Sequence, residues 1–137
     1  DGAYAAVIPK FVQMLTNGKQ PVIYGDGLQS RDFVNVRDLV SAIEILIQCD
    51  WNLIDSHVYN LASQSQTSIL EIIDLISSSI RKIKPTFNTI EPNFIHPRKG
   101  DIKHSFGDIS KIKSALNWSP SVKLSEGLDE LVKIKMN

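Results

Sequence analysis

The stretch S-I-L-E-I-I-D-L-I-S-S-S-I, residues 68–80, constrains the fold of this chain more than any other. Ile69, Ile72, Ile73, Ile76 and Ile80 recur at the spacing that puts side chains on one face of an α-helix. Ser68 and Glu71 form a capping-box pattern, in which hydroxyl and carboxylate each accept from the other residue's exposed backbone N–H. Pro85 ends the run. A face made of isoleucine has to be covered by a second layer, so the flanking segments must supply helices or strands.

They do so in short pieces. Ile8, Phe11, Val12 and Leu15 form another helical stripe, with Pro9 in the first turn and Gly18 past the end. Val22 to Tyr24 reads as extended after Pro21, Asp26-Gly27 as a turn, and Asp32 to Val36 alternates as a second strand would. Val36, Leu39, Val40, Ile43 and Leu46 or Ile47 continue as one apolar stripe of a second helix. His57 to Ala62 and Thr86 to Ile90 read as brief strands, and residues 91–101 (EPNFIHPRKGD) as an ordered, irregular loop. Asp108 can cap a short helix with Ile109, Ile112 and Leu116 inward, and Ser125 a last one with Leu128, Leu131 and Val132 inward. The long apolar strands of a complete doubly wound sheet are missing. The expected architecture is α+β, a small helix-rich unit with short strands, and 137 residues suit one domain spanning 1–137.

Charge and cysteine content narrow the function classes. Fifteen basic and fifteen acidic residues cancel, so no global field favours nucleic acid or an anionic membrane, and any anion must be held locally. The most apolar run, Leu39 to Ile47, carries Glu44 and falls far short of the ~20 residues of a membrane span. The single cysteine, Cys49, fits a reducing compartment such as the cytoplasm and reads as a core thiol. Asp1 stands first with no basic and apolar leader, which fits either a processed chain or a piece of a longer one.

Few residues suggest chemistry. His57, His96 and His104 have no short metal-ligand spacing, and strand-edge and loop positions account for them better than a metal site with Asp101 or Asp108. Y-G-D-G-L-Q-S-R-D, residues 24–32, begins like a phosphate-cradling G-x-G-x-x-G but has Ser30 where the third glycine belongs. Within it, Arg31 suits a phosphate, because guanidinium presents paired planar donors; an ion pair with Asp26 or Asp32 is the plainer reading. In H-P-R-K-G-D, Arg98 and Lys99 precede a glycine that lets the loop bend back, with Asp101 placed to accept from hydroxyls. A solvated loop is the alternative there.

Taken in order, AAVIPKF (5–11), IYGDGLQSRDFVNVRDLVSAI (23–43), VYNLAS (58–63), TSILEII (67–73) and RKGDIKHSFGDISKIKSALNWSP (98–120) resemble the carboxyl-terminal part of the nucleotide-sugar epimerases and dehydratases. These are extended short-chain dehydrogenases, and the nearest branch is the UDP-N-acetylglucosamine and UDP-glucose 4-epimerases. The resemblance implies a substrate-binding half whose amino-terminal Rossmann domain, the NAD-holding partner, is absent. The family's G-x-x-G-x-x-G and Y-x-x-x-K motifs do not occur in this chain: Tyr4, Tyr24 and Tyr59 are followed four residues on by Ile8, Leu28 and Ser63.

Carried onto this sequence, the resemblance makes Arg31 and Arg98 diphosphate clamps, Asp101 an acceptor for ribose hydroxyls, and Ala6, Val22 and Tyr24 the lining of a uracil slot. Val22 and Tyr24 replace the aromatic and the asparagine common in the branch, which leaves uridine recognition partly to backbone groups. The parent is expected to be an NAD-dependent homodimer that epimerises a UDP-sugar at C4 through a 4-keto intermediate. This chain alone is expected to bind UDP-sugar, to bind no NAD and to be inactive. A free-standing nucleotide-sugar module, or part of a sister 4,6-dehydratase or UDP-glucuronate epimerase or decarboxylase, are the other readings.

Overall fold

A computed structural model describes residues 7–54 and 58–137. Ala6 and His57 lie outside the described residues, as does the start of the strand expected over 57–62. Along the chain run α1 (Val7–Thr16), β1 (Val22–Tyr24), β2 (Ser30–Asp32), α2 (Val36–Gln48), β3 (Gln66–Ser68), α3 (Ile69–Ile83), β4 (Asn93–Ile95), α4 (Ser110–Leu116) and α5 (Leu124–Met136). A 3-10 turn at Trp51–Leu53 follows α2. This is the expected helix-rich α+β composition with short strands. No described helix is long and apolar enough to cross a membrane.

The described residues fall into two compact units, the first made of 7–29, 68–103 and 125–137 and the second of 30–54, 58–67 and 104–124. In the first, the capping box forms as expected: Glu71 N donates to Ser68 Oγ (3.2 Å) and Ser68 N to Glu71 Oε2 (2.7 Å). The hydrogen bond from the Ser68 backbone holds the Glu71 carboxyl below its usual range. All five isoleucines of the stripe are buried, each worth about 1.5–3 kcal/mol of transfer free energy relative to exposure. α1 packs against α3, with Phe11, Val12 and Leu15 buried. Leu128 and Val132 of α5 are buried too, while Leu131 is half-buried.

The first unit's sheet corrects the sequence reading. Residues 86–90 form no strand; β4 lies inside the stretch expected to be irregular and pairs in parallel with β1, matching Val22 to Asn93, Ile23 to Phe94 and Tyr24 to Ile95. Asn93 N donates to Pro21 O (2.8 Å) and Gly25 N to Ile95 O (2.9 Å), so the ladder is closed at both ends. With all three β4 residues exposed, backbone pairing alone defines the strand.

The second unit is built around Ala42, Ala62, Ile109, Ile112 and Trp118, with Ile45, Tyr59, Leu61 and Leu116 packed against them. Trp118 Nε1 donates to Ser41 Oγ at 2.9 Å. Asp38, 1% exposed, accepts from Ser121 N (2.9 Å), Ser121 Oγ (3.0 Å) and Val122 N (3.2 Å to Oδ2). Three donors offset the cost of burying a carboxylate. The second strand is 30–32 rather than 32–36, because Asn35 takes the N-cap position and accepts from Arg37 N (2.9 Å), which starts α2 at Val36.

Helix α2 exists where expected, but its stripe does not face the core. Val36, Leu39, Val40, Ile43 and Ile47 are 39–72% exposed, while Asp38 and Ala42 are the buried positions. Residues 58–62 form no strand, although Ala62 is buried. Asp108 sits two residues before α4 and accepts from Ser110 N (2.8 Å), with Ile109 at the N-cap position itself. Ser125 lies inside the first turn of α5 instead of capping it. Cys49 ends α2 half-exposed, its thiol donating to Leu46 O at 3.0 Å.

Candidate functional site

At the carboxyl ends of β1 and β4 the two strands lead into loops, and the space between those loops is an open cleft of about 1030 Å³. That is room for a nucleotide-sized ligand. Tyr24, Gln29, His96, Arg98, Asp101 and Lys103 line it, so positive and negative groups converge on one concavity. All the lining residues belong to the first unit.

The β1 side is set by a tight turn. Gly25 and Gly27 adopt φ of +81° and +76°. A Cβ on Gly27 would lie 2.8 Å from Leu70 Cγ on α3, so only glycine fits. Asp26 Oδ1 accepts from Leu28 N (2.9 Å), which locks the turn, and Gln29 Nε2 donates to Tyr24 O (2.8 Å) across it. Nothing in the sequence marks Gln29 beyond its place just after the Gly25–Gly27 turn.

The β4 side carries the cation. Arg98 Cζ stands 3.8 Å from the centre of the Tyr24 ring, a stacked cation–π contact. Hydrogen bonding to Arg98, then its charge, holds the Tyr24 hydroxyl below the usual tyrosine range; burial opposes this weakly and Lys10 adds a smaller push. Asp101 N donates to Arg98 O (3.3 Å), so the R-K-G-D segment turns back on itself as expected of its glycine. Tyr24, Arg98 and Asp101 are thus brought to one cleft. Val22 stands two residues back on β1 and does not line it.

Arg31 belongs to the second unit, half-buried on β2, where its Nη1 donates to Ser30 O (2.8 Å). Its neighbour Asp32 is a structural hub. It accepts from Ser63 N (2.6 Å), Ser63 Oγ (2.6 Å) and Gln64 N (3.1 Å). Those bonds hold Gln64 at φ +56°, a left-handed conformation that costs a non-glycine residue. Ser30 Oγ lies 2.9 Å from His104 Nδ1. Ala6 lies outside the described residues.

The glycines of the 24–32 turn do not form a dinucleotide cradle. A dinucleotide cradle offers bare glycine backbone to phosphates at the start of a helix. Gly27 is instead packed against Leu70, and the chain after it runs into β2. Among the described residues no group of three histidine, cysteine or acidic side chains gathers to hold a metal.

Residues 3–131 match the family model described as GDP-mannose 4,6 dehydratase. The structure of the UDP-N-acetylglucosamine 4-epimerase of Methanobrevibacter ruminantium, in complex with UDP-N-acetylmuramic acid, superposes with a TM-score of 0.81 at 36% identity, over 97% of this chain and 40% of that one. The UDP-glucuronic acid 4-epimerase of Bacillus cereus, in complex with UDP-glucuronic acid and NAD, gives 0.76 at 30% identity, over 94% of this chain and 40% of that one. UDP-glucuronic acid decarboxylase 1 of Arabidopsis thaliana is 33% identical over 92% of this chain and 27% of its own length. The chain therefore spans about two-fifths, or less, of the proteins it matches.

Proposed function

We propose, because this chain belongs to the GDP-mannose 4,6 dehydratase family of nucleotide-sugar epimerases and dehydratases, that its cleft holds the UDP portion of a nucleotide sugar for an NAD-dependent 4-epimerase. The observation that carries the reading is Arg98 beside Tyr24 and Asp101 in one concavity. A guanidinium suits a diphosphate because paired, permanently charged donors match its oxygens. The carboxylate of Asp101 accepts from hydroxyls, as a ribose requires, and the Tyr24 ring offers a flat apolar face to a pyrimidine. The family resemblance alone assigns Arg31 a second phosphate contact and makes Val22 and Ala6 part of the uracil slot's lining.

Binding and orientation are the work proposed for this chain. When bound to the parent, NAD supplies the redox chemistry at the sugar's C4. The chain itself contributes no G-x-x-G-x-x-G and no Y-x-x-x-K, and by itself it is inactive in this account. The parent is proposed to act in the cytoplasm as a homodimer, a placement supported by the single cysteine. A UDP-sugar decarboxylase is the second reading, favoured by the similarity to the Arabidopsis enzyme.

Calorimetry of the 137-residue chain against UDP and against NAD tests the proposal. The expected result is weak, saturable UDP binding and no heat with NAD. Tight NAD binding would overturn the assignment of the cleft.

A further inference from the structure

The two groups proposed to read the nucleotide cover each other. Arg98 Cζ stands 3.8 Å from the centre of the Tyr24 ring, and both residues line the cleft, so the covered ring face is on the ligand's side. Stacked aromatic rings keep their centres about 4.5–7 Å apart. With the guanidinium at 3.8 Å no layer is left for a base, and the two cannot hold that face together. The segment that carries Arg98 is held at one end and has room at the other. Pro97 packs on the turn after β1, where a Cβ on Gly25 would lie 3.5 Å from Pro97 Cβ, whereas a Cβ on Gly100, at φ +81°, would meet nothing within 4 Å. Arg98 itself is exposed, so its side chain can leave the ring while β1 and β4 stay in place.

We infer that the Tyr24–Arg98 stack is a closed state of the cleft that a ligand opens best when it carries both a flat base and a diphosphate, so that this contact selects intact nucleoside diphosphates over their parts. The inference rests on the cleft reading and adds to it the mutual exclusion of base and guanidinium. A diphosphate draws Arg98 off the ring through paired, charged hydrogen bonds and so clears the face for a base. A base on that face in turn keeps Arg98 at the phosphates. Each half of the ligand thereby favours the other, which is a coupling free energy within one molecule. A ligand with only one half has to break the stack alone. At an exposed site a cation–π contact favours the closed state by a factor of about two to five, and the apparent affinity of such a ligand falls by the same factor.

Two measurements test this. In the unaltered chain, nuclear Overhauser contacts between the Arg98 side chain and the Tyr24 ring are expected without ligand, and at saturating UDP they give way to contacts between the uracil protons and that ring. Calorimetry then compares the same chain with Tyr24→Leu, using inorganic pyrophosphate and UDP as the two probes. Tyr24→Leu is expected to bind pyrophosphate about two- to fivefold more tightly, because no ring holds Arg98 back, and to bind UDP more weakly, because no ring receives the base. Pyrophosphate affinity that is unchanged or reduced, or UDP affinity that rises with it, would overturn the inference. So would Arg98 contacts with the ring that persist at saturating UDP, and that outcome leaves the cleft assignment intact. Absence of any saturable UDP binding would overturn the cleft assignment and the inference together. The nuclear Overhauser measurement needs no variant, so a Tyr24→Leu chain that fails to fold leaves the test standing.

Discussion

The Arg98 guanidinium lies 3.8 Å from the centre of the Tyr24 ring, joining the loop after β4 to the last residue of β1. Neither strand is longer than three residues, so this contact and the two end hydrogen bonds from Asn93 and Gly25 fix the mouth of the cleft. The same pairing perturbs the tyrosine. Because Arg98 favours the phenolate, Tyr24 is predicted to ionise below the usual tyrosine range, as an early component of an ultraviolet titration. Arg98→Ala removes that early component, and Tyr24→Phe removes it too. An unchanged titration curve in both variants would show that the contact does not persist in solution.

Arg98 also carries the largest expected share of ligand affinity. Hydrogen bonds to a charged group contribute about 1.5–3 kcal/mol, so Arg98→Ala is predicted to weaken UDP binding roughly ten- to a hundredfold by calorimetry. Arg98→Lys keeps the charge but loses the fork, and an intermediate value is expected. Affinity within twofold of the parent chain in both variants would remove Arg98 from the site.

The turn that shapes the cleft has no room for a side chain at Gly27. Alanine there meets both a left-handed φ of +76° and Leu70 Cγ at 2.8 Å. Gly27→Ala is predicted to destabilise the chain by about 1–3 kcal/mol in urea titration. Gly18→Ala has a positive φ but nothing within 4 Å, and is predicted to cost less. Equal costs would show that backbone conformation alone governs both positions, and a reversed order would contradict the packing argument.

Acid sensitivity is predicted at the α3–α5 contact. Lys82 Nζ lies 2.6 Å from Asp129 Oδ2, and Ser79 Oγ 2.6 Å from Oδ1. The hydrogen bond from Lys82, then the one from Ser79, lowers the Asp129 pKa in the folded chain. A carboxyl lowered on folding adds stability above its unfolded pKa, and that stability fades as pH falls through the folded value. Partial exposure screens the pair and keeps the effect small. Asp129→Asn is predicted to lower the melting temperature at pH 7 and to narrow its gap to the parent chain as pH falls below about 4. A gap that stays constant down to pH 2 would contradict this.

What could be read in the sequence divides along physical lines. Helix α3 was fully legible because its signals are local: a capping box, one apolar period and a proline stop. Strand β4 was not, since Asn93, Phe94 and Ile95 are all exposed and become a strand only through the ladder with β1. Helix α2 was legible as a helix but not in its orientation, because periodicity identifies an apolar stripe without saying what covers it. At the site, residue chemistry picked out Arg98 and Asp101, and the family resemblance added Tyr24. The stacking of Arg98 on Tyr24 needed the fold, because it joins residues far apart in the chain. The bonds from Asp32 to the 63–64 backbone and the Ser63 hydroxyl likewise needed the fold, because no local pattern links residues so far apart.

The central claim, that the β1–β4 cleft is where a uridine nucleotide sits, is tested most directly by titrating the 15N-labelled chain with UDP and following its backbone amide resonances. The account predicts saturable shifts concentrated at Tyr24, Gly25, Gln29 and residues 94–103. Saturable shifts that leave those amides in place and cluster elsewhere would contradict it.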